Sequence, residues 1–185
     1  MGRWQPGARG RLGQAAMELY AERGYDQTTV AEIAERAGVT SRTFFRHFAD
    51  KREVLFAGTD AVRELLVGAF DAVPAGTAPL GAVAAALNAV AELVGNDHEH
   101  SRRRQQIITT HAELRERELV KLADWARALA DGLRGRGVDE PAASLAAEVG
   151  VAVFRVAFEQ WTTGSGDRLL TDAVRDSFDQ LSTVG

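Results

Sequence analysis

The sequence predicts an all-α protein, and three observations carry that prediction. Apolar residues recur at the i, i+3, i+4, i+7 spacing of one helix face in segment after segment. No stretch alternates apolar and polar residues long enough to form a half-buried strand. Val149 to Phe158 comes nearest and lies inside a longer segment without turn signals. The breaks between segments are glycine or proline clusters and helix-capping residues. About nine helices are expected. They fall into an N-terminal domain over 1–50, made of an arm and three short helices, and a C-terminal helical bundle over 51–185. A shared fourth helix joins the two.

Taken in order, Arg3, Arg9 and Arg11 sit in a leader interrupted by Gly2, Pro6, Gly7 and Gly10, and read as a flexible basic arm. A first helix over roughly 11–23 buries Leu12, Ala15, Ala16, Leu19 and Tyr20 and ends at Gly24. Thr29 to Glu32 is a capping box, Thr-x-x-Glu, that opens a second helix over roughly 29–37. Gly38 supplies a tight turn. A third helix over roughly 40–47 is capped by Thr40 or Ser41 and buries Phe44 and Phe48, which are i, i+4. Asp50 and Glu53 mark the start of a fourth helix, expected to run unbroken to about 72.

Pro74, Gly76 and Pro79 then break the chain. Further helices follow over roughly 79–94, 99–110 and 112–134, separated by Gly95-Asn96-Asp97 and stopped by Gly135-Arg136-Gly137. Pro141 suits the first turn of an eighth helix reaching about 163, and Gly164-Ser165-Gly166 leads to a ninth over roughly 167–182. The eighth helix is apolar on most sides, from Val149 through Phe158. A helix of that kind is buried on most sides, here against its own core and against a second copy of the chain. The eighth and ninth helices, the latter with Leu169, Leu170, Ala173, Val174, Phe178 and Leu181, are therefore the expected homodimer interface.

Composition narrows the function. The chain has 185 residues, 45% of them apolar, so a core can form without staples. Cysteine is absent, which excludes disulfides, thiol nucleophiles and cysteine metal sites. The net charge of −4 argues against nucleic acid until it is divided. Residues 1–58 hold nine Lys/Arg against seven Asp/Glu, a balance of +2, while the remainder holds 13 against 19, a balance of −6. No run of about 18 apolar residues suggests a membrane span. The first residues lack the apolar core of a signal peptide. The expectation is a soluble cytoplasmic protein without membrane partners. A Gly-rich phosphate loop, a Gly-x-Ser-x-Gly elbow and a His-Glu-x-x-His pair are all missing, so no enzyme and no cofactor are expected. His98-Glu99-His100 places two imidazoles at i, i+2, which point apart, so no metal is expected either.

The informative segment is Thr28 to Phe48. Two short helices joined by a tight glycine turn make a helix-turn-helix, although the same pair also occurs in ordinary bundles. In the DNA-binding use, the first helix braces the second, whose early side chains meet base edges in the major groove. The outward positions here are Ser41, Arg42, Thr43, Arg46 and His47, none of them acidic. Thr28-Thr29-Val30-x-x-Ile33-Ala34-x-x-Ala37-Gly38-Val39, followed by Asp50-Lys51-Arg52-Glu53-Val54-Leu55-Phe56, closely resembles the N-terminal domain of TetR-family transcriptional regulators over residues 9–57.

That resemblance implies a ligand-responsive regulator binding double-stranded operator DNA, a repressor released from a palindromic operator by a small-molecule effector. It assigns a phosphate to Thr29 and the nearby amides. Thr40 becomes a cap facing the DNA backbone, and Ser41, Arg42 and Thr43 become base readers. Arg42 is suited to a bidentate contact with guanine. Arg46 would read bases or bind phosphate, and His47 and Lys51 match positions that contact the backbone. The family commonly has Tyr where Phe45 stands. A phenyl ring cannot donate to phosphate, so that contact is lost or becomes an apolar one with a thymine methyl or sugar.

The C-terminal part resembles the family by layout. The segment from Arg102 to Arg117 is similar to the actinobacterial branch containing mycofactocin-type regulators, for which an acyl-CoA-like or other lipophilic effector is implied. An apolar cavity among helices four to eight would be lined by Leu66, Phe70, Leu87, Ile107, His111, Trp125, Phe154 and Phe158. Each of these also reads as plain core. Arg104, His111, Arg155 and Glu159 are the polar candidates for fixing a ligand. Arg155 in an apolar helix needs either a partner or a ligand anion. An enzyme built on the same bundle, or a DNA-binding protein without any ligand, remain the alternatives.

Overall fold

A computed structural model describes residues 7–181 and 183. Among these the chain forms ten α-helices and no strand. They are α1 (Ala8–Arg23), α2 (Val30–Arg36), α3 (Ser41–His47), α4 (Lys51–Leu55), α5 (Thr59–Ala72), α6 (Pro79–Val94), α7 (His98–Thr110), α8 (Ala112–Gly135), α9 (Ala142–Thr163) and α10 (Leu170–Leu181). The all-α expectation holds, and most predicted ends fall within a residue or three of the observed ones. The chain divides into two compact units, with the boundary between Gly58 and Thr59.

Two expectations need correction. The long fourth helix is two helices, because Gly58 takes a φ of +90°, which a continuous helix cannot contain. No single rigid helix therefore links the two parts. The basic arm is also shorter than expected. Helix α1 begins at Ala8, so Arg9 and Arg11 are helical. Arg11 donates from Nε to the carbonyl of Ala37 at the end of α2 (3.2 Å), and Arg9 lies over the Phe48 ring. Arg3 lies outside the described residues.

The first unit packs α1 against α2, α3 and α4. Leu12, Ala16, Leu19, Ile33, Ala34 and Phe44 are sealed in its centre. Helices of seven, seven and five residues are too short to persist alone, so each is fixed at its start. Thr29 and Glu32 complete the predicted capping box, Thr40 Oγ1 accepts from the amide of Thr43, and Asp50 accepts from the amides of Arg52 and Glu53.

The second unit is a bundle whose core is one cluster drawn from α5, α6, α8, α9 and α10. Close approach depends on small residues. A side chain at Gly150 of α9 would put its Cβ 2.2 Å from Val83 Cγ1, and one at Gly132 of α8 would meet the Phe70 ring at 2.6 Å. Among the described residues no single helix is long and apolar enough to cross a membrane.

Candidate functional site

The three caps set the exposed face of the first unit. Phe44 points inward from α3 and is fully buried, with Phe48 tilted against it. The helical repeat therefore turns Ser41, Arg42, Phe45 and Arg46 outward, and all four are exposed. Thr43 and His47 flank this face and are half-buried, and Thr40 is exposed at its start. Phe45 is 57% exposed, held edge-on against Phe44 at 5.5 Å between ring centres. An apolar ring held outward on a polar face is available to an outside partner. The structure thus gathers the predicted base readers on one surface.

Nearby acids are neutralised from within the unit. Arg36 grips Glu22 through two hydrogen bonds of 2.9 and 2.8 Å, and Arg23 meets Glu32 at 2.7 Å. These bonds hold the Glu22 carboxyl below the usual carboxylate range. Glu32 is lowered as well, chiefly by its bonds from the amide and hydroxyl of Thr29. Both acids stay ionised beside their partners. Arg42 and Arg46 form no ion pair among the described residues, and both are exposed.

Three residues implied as backbone contacts are placed differently. Both donors of Thr29, its amide and its hydroxyl, go to Glu32 Oε2 at 2.8 Å, so neither is directed at a phosphate. The Lys51 ammonium donates to the carbonyls of Tyr25 (2.9 Å), Asp26 (3.3 Å) and Thr28 (3.1 Å) and lies 4.4 Å from the centre of the Tyr25 ring. Tyr20 Oη donates in turn to the Lys51 carbonyl at 2.9 Å. Lys51 therefore ties the turn between α1 and α2 to the start of α4. His47 Nε2 is buried and has no hydrogen-bond partner among the described residues. Sequence reasoning missed the engagement of Lys51, because nothing in the sequence says that residues 25–28 bring three carbonyls to one point.

In the second unit the apolar candidates lie in the core. Leu66, Phe70, Leu87, Trp125 and Phe154 belong to one buried cluster, with Phe158 packed against it. Phe154 meets Trp125 edge-on at 5.9 Å and stacks on Phe158 at 6.2 Å. Trp125 Nε1 is buried without a partner among the described residues, an unusual state for an indole N–H. Ile107 and His111 are half-buried at the α7–α8 junction, where His111 Nδ1 pairs with the Ile107 carbonyl at 2.7 Å.

The polar candidates divide. Arg104 pairs with Glu118 at 3.1 Å, and burial pulls its guanidinium below its ordinary range in spite of that partner. Arg155 pairs with Glu159 one turn on, at 3.0 Å, on the surface. The Arg155 question raised by the sequence is thus answered by an exposed ion pair. Glu159 also lines a cleft of about 730 Å3 between α7 and the end of α9.

The expected dimer surface is partly redrawn. Leu170, Ala173 and Val174 of α10 are buried in the bundle's own core, as are Val151, Phe154 and Ala157 of α9. What remains exposed is Leu145, Ala152 and Val156 along the opposite side of α9, and Leu169 just before α10.

Comparison with known proteins agrees with this geometry. Residues 13–57 match the family of bacterial regulatory proteins, tetR family, and residues 77–184 match the MftR C-terminal domain. The chain is 25% identical over 171 residues to the mycofactocin biosynthesis transcriptional regulator MftR of Mycobacterium tuberculosis, covering 91% of this chain and 86% of that one. It is 45% identical over 82 residues to the HTH-type transcriptional regulator TcmR of Streptomyces glaucescens, covering 44% of this chain but only 36% of TcmR. Its fold is similar to that of FadR from Bacillus subtilis, solved with stearoyl-CoA. That match has a TM-score of 0.66 at 21% identity and covers 93% and 96% of the two chains.

Proposed function

The chain belongs to the TetR family of bacterial regulatory proteins, with an MftR-type C-terminal domain, and from that premise we propose that it is a homodimeric repressor released from a palindromic operator by a small effector. The observation that carries this reading is the outward face of α3. There Ser41, Arg42, Phe45 and Arg46 are presented by a rigidly capped helix with no acid among them. Arg42 reads guanine through two hydrogen bonds, Ser41 and Thr43 contact neighbouring bases, and Arg46 adds a base or phosphate contact. Phe45 lies against a thymine methyl or a sugar. Thr40 faces the DNA backbone, flanked by His47. Thr29 and Lys51 hold these helices in place.

Dimerisation runs along the apolar stripe Leu145, Val149, Ala152 and Val156 of α9, extended by Leu169. The stripe repeats at i, i+4, i+7, i+11 and would self-pair across a two-fold axis. The interior of the second unit holds the apolar part of an acyl-CoA-like effector, and the stearoyl-CoA complex of FadR supports that class. Leu66, Phe70, Leu87, Ile107, Trp125, Phe154 and Phe158 would open around it. A coupling of about 1–3 kcal/mol between effector and operator would change operator affinity by roughly 5–150-fold. The protein acts in the cytoplasm and catalyses no reaction.

The test is selection of bound duplexes from a random pool by the full-length protein, followed by release with acyl-CoAs. The expected product is a palindrome whose half-sites lie about 34–36 Å apart. A pool that gains no sequence preference would overturn the reading.

A further inference from the structure

Among Ser41, Arg42, Phe45 and Arg46, the exposed residues of α3, only Phe45 is apolar. Its ring is 57% exposed and stands edge-on to the Phe44 ring, 5.5 Å away, and Phe44 is sealed in the core of the unit. The phenyl group is thus braced from behind and uncovered in front. A stiff aromatic side chain of this kind gives up little freedom when it meets a partner. It has no hydrogen bond to offer, so the surface it meets must be apolar at that point.

A duplex has two such surfaces near a helix in the major groove. One is the C5 methyl group of a pyrimidine, on the groove floor, and the other is a sugar in the groove wall. Two observations select the methyl. The first is position. Phe45 follows Ser41 by four residues and Arg42 by three, so all three share one strip of α3. Helical side chains lean toward the start of their helix. The ring therefore overlies the turn that carries Ser41 and Arg42, and the early turns of a recognition helix are the ones that reach base edges.

The second is solvation. A sugar is bordered by charged phosphates. A phenyl ring pressed there displaces water from phosphate oxygens and returns no hydrogen bond, which is unfavourable. The exposed groups suited to phosphate are instead Thr40 and Arg46, at either end of the strip. A C5 methyl has no hydrogen bond to lose, and covering it removes apolar surface from water on both sides.

We propose that Phe45 reads the C5 methyl group of a pyrimidine, the feature shared by thymine and 5-methylcytosine. This rests on the reading of α3 as the recognition helix. Three residues of helix rise about 4.5 Å against about 3.4 Å per base step, so the methyl lies within about two base pairs of the guanine read by Arg42. Each half-site then joins a guanine, recognised by hydrogen bonds, to a methyl-bearing pyrimidine, recognised by contact.

The experiment uses the operator that the full-length protein selects from the random pool. Each thymine is replaced in turn by deoxyuridine, which keeps every base-pair hydrogen bond and removes only the methyl. Affinity is read by fluorescence anisotropy at one fixed salt concentration. One thymine per half-site should lose about fourfold, the value of burying one methyl, and changing both half-sites should lose about fifteenfold. Phe45→Ala should bind the thymine and uracil operators equally, whereas Phe45→Leu should keep part of the difference. At the same position a 5-methylcytosine–guanine pair should bind the parent about fourfold better than a cytosine–guanine pair. Uracil tolerated everywhere by the parent, with Phe45→Ala still weaker on every duplex, puts the ring on a sugar and overturns the proposal. A uracil loss that persists in Phe45→Ala gives the methyl to another residue and overturns it as well. A uracil loss without the matching gain from 5-methylcytosine overturns the methyl as the group that is read. A pool that gains no sequence preference removes the regulator and this contact together. A selected operator that tolerates uracil removes the contact alone and leaves the regulator.

Discussion

The two units solve the same problem, stabilising helices, by opposite means. Around the sixteen-residue α1, the first uses helices of five and seven residues fixed by polar staples: the Thr29–Glu32 box, the Asp50 cap, Lys51 on three carbonyls and Arg11 on a fourth. The second uses helices of 12 to 24 residues held by interlocking apolar surface, with Gly132 and Gly150 letting backbones approach. A face that must meet DNA in fixed geometry gains from directional bonds, whose angles leave little freedom. A bundle that must admit a ligand gains from apolar contacts, which can rearrange without leaving polar groups unpaired. If that contrast is right, each unit should fail in its own way.

The largest effect is expected from Phe44→Ala. The ring is fully buried in a unit of under sixty residues, and truncating such a ring costs about 3–5 kcal/mol. Domains of that size have little stability in reserve. Hydrogen exchange should show residues 8–55 losing protection while the bundle keeps its own. Loss of protection in both units together would mean that they do not fold as separate cores.

Next comes Gly150→Ala, which tests the bundle. Alanine raises helix propensity by up to about 1 kcal/mol. Its Cβ, however, would lie 2.2 Å from Val83 Cγ1, on a short β-branched side chain that is itself fully buried. Overpacking of this kind costs about 1–3 kcal/mol and should win. The expected result is a lower melting temperature for the bundle with operator affinity of the folded protein retained. A rise in melting temperature would show the interface to be looser than the geometry indicates.

How far the sequence carried these features differs between the units for the same physical reason. Caps are local, so Thr29, Thr40 and Asp50 could be read from spacing within four residues. The outward face of α3 followed from one helical repeat anchored by Phe44 and Phe48. Long-range facts were hidden. The turn at Gly58 interrupts a pattern whose apolar spacing continues through it, so periodicity ran past it. Lys51 has the spacing of a surface cation, and only the folded turn brings carbonyls 25, 26 and 28 to its ammonium. In the bundle, helix spans were legible. The same apolar positions, though, serve core, cavity and interface, and periodicity cannot tell these apart. Leu170, Ala173 and Val174, expected to meet a partner, went into the core for that reason. The cleft was invisible because its walls come from α7 and the end of α9, which lie far apart in the sequence.

Two further substitutions separate reading from positioning within the first unit. Arg42→Ala should remove about 1–3 kcal/mol of discrimination at one base pair and leave the others unchanged. Lys51→Met should weaken binding to every sequence alike, by loosening the turn between α1 and α2. Its salt dependence should remain, because the ammonium is committed to protein carbonyls. A slope that falls by about one unit would instead make Lys51 a direct phosphate contact.

The smallest effect concerns Tyr20 and separates the units by pH. Both tyrosines of the chain, Tyr20 and Tyr25, lie in the first unit, and the bundle has none. Burial pushes the Tyr20 phenol well above its ordinary value, assisted by Tyr25 and Asp50 nearby. An unfolded chain ionises that phenol near pH 10. Above that pH the folded state holds a proton that the unfolded state has lost, so unfolding releases one and becomes easier as pH rises. The contribution is whole below about pH 10 and declines above it. Tyr20→Phe should remove the bond to the Lys51 carbonyl at a cost of about 1 kcal/mol at neutral pH, and should flatten the alkaline decline of the first unit. The bundle should show no corresponding change. An alkaline decline as steep in Tyr20→Phe as in the parent would assign it to other groups, and the hydroxyl would then matter only as a staple.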